Sequence, residues 1–418
     1  MPFLLVFVEK KFRYDIIIQE KMKGKNNMWG DIAIAFLLAF ITAYVITPYT
    51  IRLAKKVGAV DMPEDRRVNK KPMPRLGGLA VISGFVVSII YLIITMAIEK
   101  KINFAEDNLK IKLIGFLLGI AVLEVTCFID DVKNIKPLTK LAGQVLAAII
   151  VASSGILIDN FTIPFKENSV VLNEVFSFIL TIGWIVGITN AINLIDGLDG
   201  LSSGITLISC VSLLIIFALN ESPLIAVVLI TALAGSIVGF LPYNFNPAKT
   251  FIGDVGSNFM GFAIAVISIL GVAKTYTALV LIAPIMVLAL PIFDTLWAIV
   301  RRIIKTKSIK GVFKADRGHL HHRLMARGYT QKQAVLILYG ITATLGMTAI
   351  ILLDSGIWKA ISFALLVVAF VALGYKDILH LREEENRKIK ESANNNEEKS
   401  KESMPNTKNS KIKDKNKK

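Results

Sequence analysis

The sequence predicts an all-α, polytopic membrane protein with about eleven transmembrane helices and an active site built from loops on one membrane face. Three observations predict it. The 418-residue chain is 54% hydrophobic and only 19% charged, with a mean hydropathy of +0.60, too apolar for an ordinary soluble domain. Apolar segments approaching the ~20 residues that a helix needs to cross a bilayer recur along it. The acids, amides and histidines that interrupt this background collect at alternate connections between those segments.

In order, the segments lie near 31–51, 77–98, 112–129, 140–158, 175–195, 201–219, 223–241, 257–273, 276–299, 334–353 and 357–374. With the C-terminus inside, connections 52–75, 130–140, 242–256 and 300–333 and the tail after Gly374 carry 35 Lys or Arg, and the opposite connections carry seven. The positive-inside rule therefore orients the chain N-out and C-in, with the polar connections facing the cytoplasm. Residues 1–27 dissent, holding six basic residues that would lie outside. Either this extension tolerates its position or translation starts at Met28, directly before the first span; the second reading is favoured, and a native peptide covering Phe12 to Lys21 would exclude it. The stretch is too charged for a cleavable signal peptide. Residues 28–374 are expected to form the transmembrane domain and 375–418 a charged tail expected to be disordered.

The net charge of +16 does not imply nucleic acid, because 13 of the 48 basic residues lie in the tail and most others in short loops, where membrane topology explains them. Cys127 and Cys210 lie inside apolar runs and read as packing residues, which leaves neither a disulfide framework nor a thiolate zinc site.

Five polar clusters remain. Asp61 to Gly78 follows the first span; its prolines stiffen the loop, Arg75 is suited to phosphate, and Gly77 and Gly78 permit a close backbone approach. A positive-inside loop explains its charges equally well. Asp130 and Asp131 end the third span, with Lys133 and Lys140 following; adjacent carboxylates repel unless a cation lies beside them, and acids at a helix C-terminus oppose its dipole. A magnesium site or a general base follows. The run Asn190-x-x-Asn193-x-x-Asp196-Gly197-x-Asp199-Gly200 would place its polar groups near one face if the helix persisted, a cradle for a metal or a nucleotide rather than a plain turn. In Leu241 to Asn258, Asp254 lies between two glycines just before a span and Asn246 precedes it, so its carboxylate and nearby N–H groups can face a metal-bound phosphate. Finally, His319, His321 and His322, three of the four histidines, sit with Arg317 and Arg323 in the longest internal loop, a pattern suited to zinc or to phosphate. Asp294, inside an apolar segment, reads either as functional or as an inter-helix hydrogen-bonding group.

Several acids, few soft ligands and many cations fit Mg²⁺ held together with phosphates, Mn²⁺ being the alternative ion. Together the Asp130-Asp131 pair, the Asn190 to Gly200 run, Gly253-Asp254-x-Gly256-Ser257 and His319-x-His321-His322-Arg323 resemble the polyprenyl-phosphate N-acetylhexosamine-1-phosphate transferases, over about Asp61 to Arg323. The histidine pattern and the Asp61 to Gly78 loop look like the GlcNAc branch rather than the phospho-MurNAc-pentapeptide branch, whose three consecutive histidines are absent.

The resemblance implies UDP-GlcNAc as donor, undecaprenyl phosphate as acceptor, a bacterial cell membrane as location, release of UMP, and initiation of a cell-envelope polysaccharide. It implies Asp254 as the first magnesium ligand, with Asp196 or Asp199 near the metal, and Asp130 and Asp131 in metal binding or acceptor positioning. Asn190, Asn193, Asp196 and Asp199 would shape the nucleotide end, with Asn246 contacting the nucleotide. His321 and His322 would hold the diphosphate or sugar, helped by His319, Arg317 and Arg323, while Arg75, Lys133 and Lys140 would bind phosphate. A homodimer is compatible with this picture. Competing readings are transfer of another UDP-linked sugar phosphate, an ion-coupled transporter, which would place its polar groups near mid-membrane, and a prenyl-chain-elongating enzyme, which would need more acids beside Asp130-Asp131.

Overall fold

The computed structural model describes residues 2–63, 71–99, 108–162, 169–272, 278–308, 318–357 and 359–368. Among them the helices are α1 (Pro2–Val57), α2 (Gly78–Ile98), α3 (Leu109–Lys133), α4 (Pro137–Ser153), α5 (Glu174–Ile195), α6 (Leu201–Leu219), α7 (Leu224–Asn244), α8 (Gly253–Val272), α9 (Ala278–Val287), α10 (Ala289–Thr306), α11 (Leu320–Ala326) and α12 (Gln331–Ser355). The chain to Ala360 packs as one unit. A second unit begins at Ile361, and its described part is the end of the apolar helix Lys359–Val368. Arg317, Glu64 to Lys70 and the tail 375–418 lie outside the described residues.

Eight described helices are long and apolar enough to cross a membrane: the Gly30–Val57 part of α1, then α2, α3, α5, α6, α7, α8 and α12. The other three expected spans differ. The stretch near 140–158 holds the shorter α4, which ends at Ser153, the described part of 357–374 holds the apolar helix Lys359–Val368, and 276–299 is broken at Leu288 between α9 and α10. The break has a local cause. Pro291 has no N–H to offer the Val287 carbonyl one turn back, and Ser209 Oγ donates to that oxygen instead at 3.3 Å.

The centre of the bundle is α7 and α8, whose apolar windows are 83% and 89% buried against 22% for α1 and 33% for α12. Phe85 of α2 meets Phe116 of α3 and Phe259 of α8 edge-on, with centroids 6.1 and 5.2 Å apart. Outer helices expose apolar rows at four-residue spacing, such as Leu37, Ile41 and Val45 on α1 and Ile114 and Leu118 on α3, a surface suited to lipid.

From α2 to α8 consecutive helices alternate in direction, and α9 and α10 follow one another in a single broken crossing. The C-termini of α3, α5, α7 and α10 and the N-termini of α2, α4, α6, α8 and α12 therefore meet at one end, where Gly78 touches Gly256, Asp131 reaches Asp254, Lys140 reaches Asn193, Ser203 reaches Asn244 and Tyr339 reaches Gly200. Two small strand pairs, which the sequence reading did not foresee, interrupt the helices. β1 (Val60–Asp61) runs antiparallel to β2 (Met73–Pro74), pairing Val60 with Pro74 and Asp61 with Met73; this ladder leads into Arg75 and α2. A β-carbon on Gly78 would lie only 2.1 Å from Gly256 N, so the α2 and α8 N-termini touch as the paired glycines predicted. β3 (Asn160–Thr162) and β4 (Ser169–Val171) form a hairpin between α4 and α5.

Candidate active site

Asp130 and Asp131 are neighbours in sequence, yet their carboxylates diverge, because successive residues on a helix point about 100° apart. Asp131 is buried and accepts the N–H groups of Asp254 at 3.1 Å and Val255 at 2.9 Å, capping α8 from another helix. Arg75 Nε lies 3.6 Å from its Oδ1 and the same guanidinium donates to the Asp131 carbonyl at 3.0 and 2.7 Å and to Asn134 Oδ1 at 2.8 Å. A positive helix N-terminus and an arginine thus offset the acid at the negative end of α3. Asp130 accepts Ile135 N–H through Oδ1 at 2.9 Å and presents Oδ2 to Lys140 Nζ at 3.4 Å.

Lys140 is the hub. It donates to Asp254 Oδ1 and to Asn193 Oδ1 at 3.2 Å, while Asn193 Nδ2 donates to Asp254 Oδ1 at 2.7 Å and Ser257 Oγ at 2.8 Å. One turn deeper lies a second polar layer: Asn190 Nδ2 donates to Gln144 Oε1 at 2.7 Å, Gln144 Nε2 to Asn258 Oδ1 at 2.7 Å, and Asn258 Nδ2 to the Asp254 carbonyl at 2.7 Å. Each member stands three or four residues from one above it, so α4, α5 and α8 each contribute one group to each layer. Gln144 was not singled out from sequence, although a buried amide four residues after Lys140 in an apolar run is the same signal that marked Asn190.

The Asn190 to Gly200 run does not form a single cradle. α5 ends at Ile195, and beyond it the acids turn elsewhere. Asp196 Oδ1 accepts from Ser202 Oγ at 2.6 Å, and loss of water around the carboxyl pushes it up to about 7 against the lowering effect of that hydroxyl. Asp199 Oδ2 accepts from Asn246 Nδ2 at 2.9 Å and Ala248 N at 3.1 Å, holding the loop after α7. Both acids, with Arg75, Asn246, Phe251, Asp254 and His322, line a polar cavity of about 840 Å³.

The histidines divide their tasks. His319 Nδ1 lies 2.8 Å from Asp294 Oδ2, and Asp294 Oδ1 accepts Leu320 N–H at 2.9 Å, so Asp294 fixes the start of α11. His321 is buried, and among the described residues neither ring nitrogen has a hydrogen-bond partner; it is packed so that a β-carbon on Gly197 would lie 2.2 Å from its Nε2. Burial first, then the neighbouring His322 and His319, hold it down to about 3, so it is neutral at physiological pH. His322 lines the polar cavity. Lys133 and Arg323 are exposed and line neither this cavity nor the one described next.

A second cavity, about 710 Å³, runs between α5 and α10. Gly183, Trp184, Ile292, Leu296 and Ile299 line its apolar length, and Asp130, Lys140, Asn193 and Arg302 its polar end. Asn193 lines both cavities, and the contact between Lys140 and Asp254 joins one to the other.

These features define a polytopic membrane protein with a carboxylate, amide and ammonium site at one end of its helix bundle, where a polar and an apolar cavity meet. The model for glycosyl transferase family 4 matches residues 113–272, which contain the Asp130-Asp131 pair, the Asn190 run and Asp254. The chain is 36% identical over 342 residues to a probable undecaprenyl-phosphate N-acetylglucosaminyl 1-phosphate transferase of Bacillus subtilis, covering 82% of this chain and 90% of that protein. It is 33% identical over 376 residues to a decaprenyl-phosphate N-acetylglucosaminephosphotransferase of Mycobacterium tuberculosis, covering 84% and 90%. A phospho-N-acetylmuramoyl-pentapeptide-transferase of Carboxydothermus hydrogenoformans is 30% identical over 332 residues, covering 74% and 93%. The chain belongs to glycosyl transferase family 4.

Proposed function

We propose that the protein transfers GlcNAc-1-phosphate from UDP-GlcNAc to undecaprenyl phosphate, giving undecaprenyl-diphosphate-GlcNAc and UMP. The observation that carries this reading is the meeting of the two cavities at Asn193. A polar chamber suits a nucleotide sugar, an apolar groove suits a prenyl chain, and the Lys140 and Asp254 contact lies between them. The first two relatives, named for GlcNAc-phosphate transfer to polyprenyl phosphates, support the same substrates.

An acceptor phosphate oxygen attacks the sugar-linked phosphorus; the bond from that phosphorus to the bridging oxygen breaks, and the oxygen leaves with UMP. A phosphate monoester is largely a dianion near neutral pH, so it needs no strong base. Lys140, held by Asp254, Asp130 and Asn193, supplies positive charge where phosphate oxygens converge, and Arg75 fixes Asp131 and with it the start of α8. Neutral His321 closes the wall beside Gly197, and the His322 ring lies tilted against it with centroids 4.2 Å apart.

The site's donor set fits magnesium. Asp254 and Asp130 converge on one ammonium group, and a hard ion held by one or two carboxylates with substrate phosphates is the usual arrangement for Mg²⁺. Bound there, the ion would neutralise charge on the donor diphosphate. Asp254 and Asp130 are the proposed ligands; Asp196 and Asp199 are engaged by Ser202 and Asn246 and are assigned to the nucleotide chamber. The site faces the cytoplasm on this reading, from the distribution of basic residues. A UMP-release assay with purified protein, Mg²⁺, undecaprenyl phosphate and a panel of UDP-sugars including UDP-MurNAc-pentapeptide tests the proposal. Turnover is expected with UDP-GlcNAc; turnover confined to the pentapeptide donor would overturn the choice of donor, and vesicle flux without UMP release would overturn the reaction.

A further inference from the structure

The proposed reaction leaves Asp294, His319 and Arg302 without a task, although Arg302 lines the groove's polar end and the other two are linked to it through His319 Nε2 and Nδ1. The groove side of α10 carries Ile292, Leu296, Ile299 and Arg302 at helical spacing. A prenyl chain lying along the three apolar side chains brings its headgroup to Arg302. At that end Lys140 is already engaged by two carboxylates, so an arriving phosphate needs a further cation, and a guanidinium offers the planar two-pronged donor set that phosphate oxygens match.

The position of Arg302 is itself prepared. Arg302 Nη2 lies 3.4 Å from His319 Nε2, and the other ring nitrogen of His319 lies 2.8 Å from Asp294 Oδ2. Asp294 and His319 are 3% and 5% exposed. The ring donates its Nδ1–H to the buried carboxylate, which leaves the Nε2 lone pair to accept from Arg302. Arg301 adds a second anchor by donating to the Gly318 carbonyl at 2.8 Å.

We infer that Arg302 binds the phosphate of the lipid acceptor at the polar end of the apolar groove, and that Asp294, acting through His319, is the positioning residue that sets Arg302. The inference rests on the acceptor proposed above. It also moves His319 from a substrate contact to a support.

The test is steady-state UMP release by the purified full-length protein, varying undecaprenyl phosphate and UDP-GlcNAc separately, with wild type measured first. Arg302→Gln is expected to raise KM for undecaprenyl phosphate about 10- to 100-fold, the worth of a charge-assisted hydrogen bond, and to shift KM for UDP-GlcNAc by less than about twofold. Arg302→Lys keeps the charge without the fork and falls between. Asp294→Asn removes the charge and keeps one acceptor oxygen where the carboxylate offers two, to Leu320 N–H and to His319, and raises the acceptor KM in the same direction by less. Undecaprenol, which lacks the phosphate, is expected to inhibit wild type and Arg302→Gln alike. An unchanged acceptor KM, or an equal rise in both KM values, in Arg302→Gln or Arg302→Lys overturns the inference, the second result making Arg302 a support for the histidine loop. A wild-type protein that releases no UMP overturns the parent reaction instead, and the inference with it.

Discussion

Asp254 Oδ1 takes two donors, from Lys140 and from Asn193, and its charge is what both they and a magnesium ion require. Asp254→Asn keeps the shape and removes that charge, so UMP release is expected to fall by at least about 100-fold, with an unchanged elution volume in size-exclusion chromatography. At His321 the consequence is a pH dependence. Its folded value of about 3 lies below the ordinary 6.5, so protonation favours the unfolded chain and the residue withdraws stability as pH falls from 6.5 toward 3. Asp196 works in the opposite sense: raised from 3.8 to about 7, it contributes stability below 3.8 that is lost as pH rises through 7. Melting curves of His321→Gln and Asp196→Asn across pH 4 to 8 check both signs. The variant-minus-wild-type difference should grow on acidification for His321→Gln and on alkalinisation for Asp196→Asn. Asn190, Asn193 and Asp254 were legible in the sequence because polar groups at the edge of apolar spans have few structural uses. The direction in which each carboxylate points was not legible, since Asp130 and Asp131 differ by one helical step and that step depends on how α3 rotates against α8.

At the scale of elements, α8 begins on a carboxylate from α3. Asp131 satisfies two N–H groups that a helix N-terminus leaves open, so Asp131→Ala is expected to cost about 1–2 kcal/mol of stability and to lower turnover by displacing Asp254. Asp131→Asn, which retains one acceptor oxygen, should restore much of the stability in thermal denaturation. The sequence reading placed Asp131 with the metal or the acceptor because no local pattern marks a cap supplied from 123 residues away. The broken crossing at Leu288 is different, for Pro291 was visible inside the apolar run 276–299. Hydropathy alone reports length and not continuity, and the break became apparent only with Ser209 in place to serve the freed carbonyl. The β1 and β2 pairing was hidden for a third reason: two-residue strands carry no periodicity to read.

For the whole molecule, the all-helical membrane architecture followed from hydropathy and the gathering of polar groups at one end from the spacing of the polar clusters, whereas eight described helices, against eleven expected segments, are long and apolar enough to cross a membrane. The contents of each cavity did not, because Trp184 and Ile292 come together only when α5 and α10 pack. Chelation offers a test at this scale: EDTA is expected to stop UMP release, and added Mg²⁺ to restore it, without change in the melting temperature of the substrate-free protein beyond about 2 °C. A large irreversible loss of stability would instead make the ion a structural part of the bundle.

The apolar groove along α5 and α10 also sets how the acceptor is counted. A substrate that reaches Arg302 by sliding sideways between helices never passes through water, so its effective concentration is a number per unit area of membrane. Diluting the polyprenyl phosphate with inert lipid at constant bulk concentration should then slow turnover, whereas diluting UDP-GlcNAc in the same way has no such meaning. The two substrates of one site would obey two different dimensionalities.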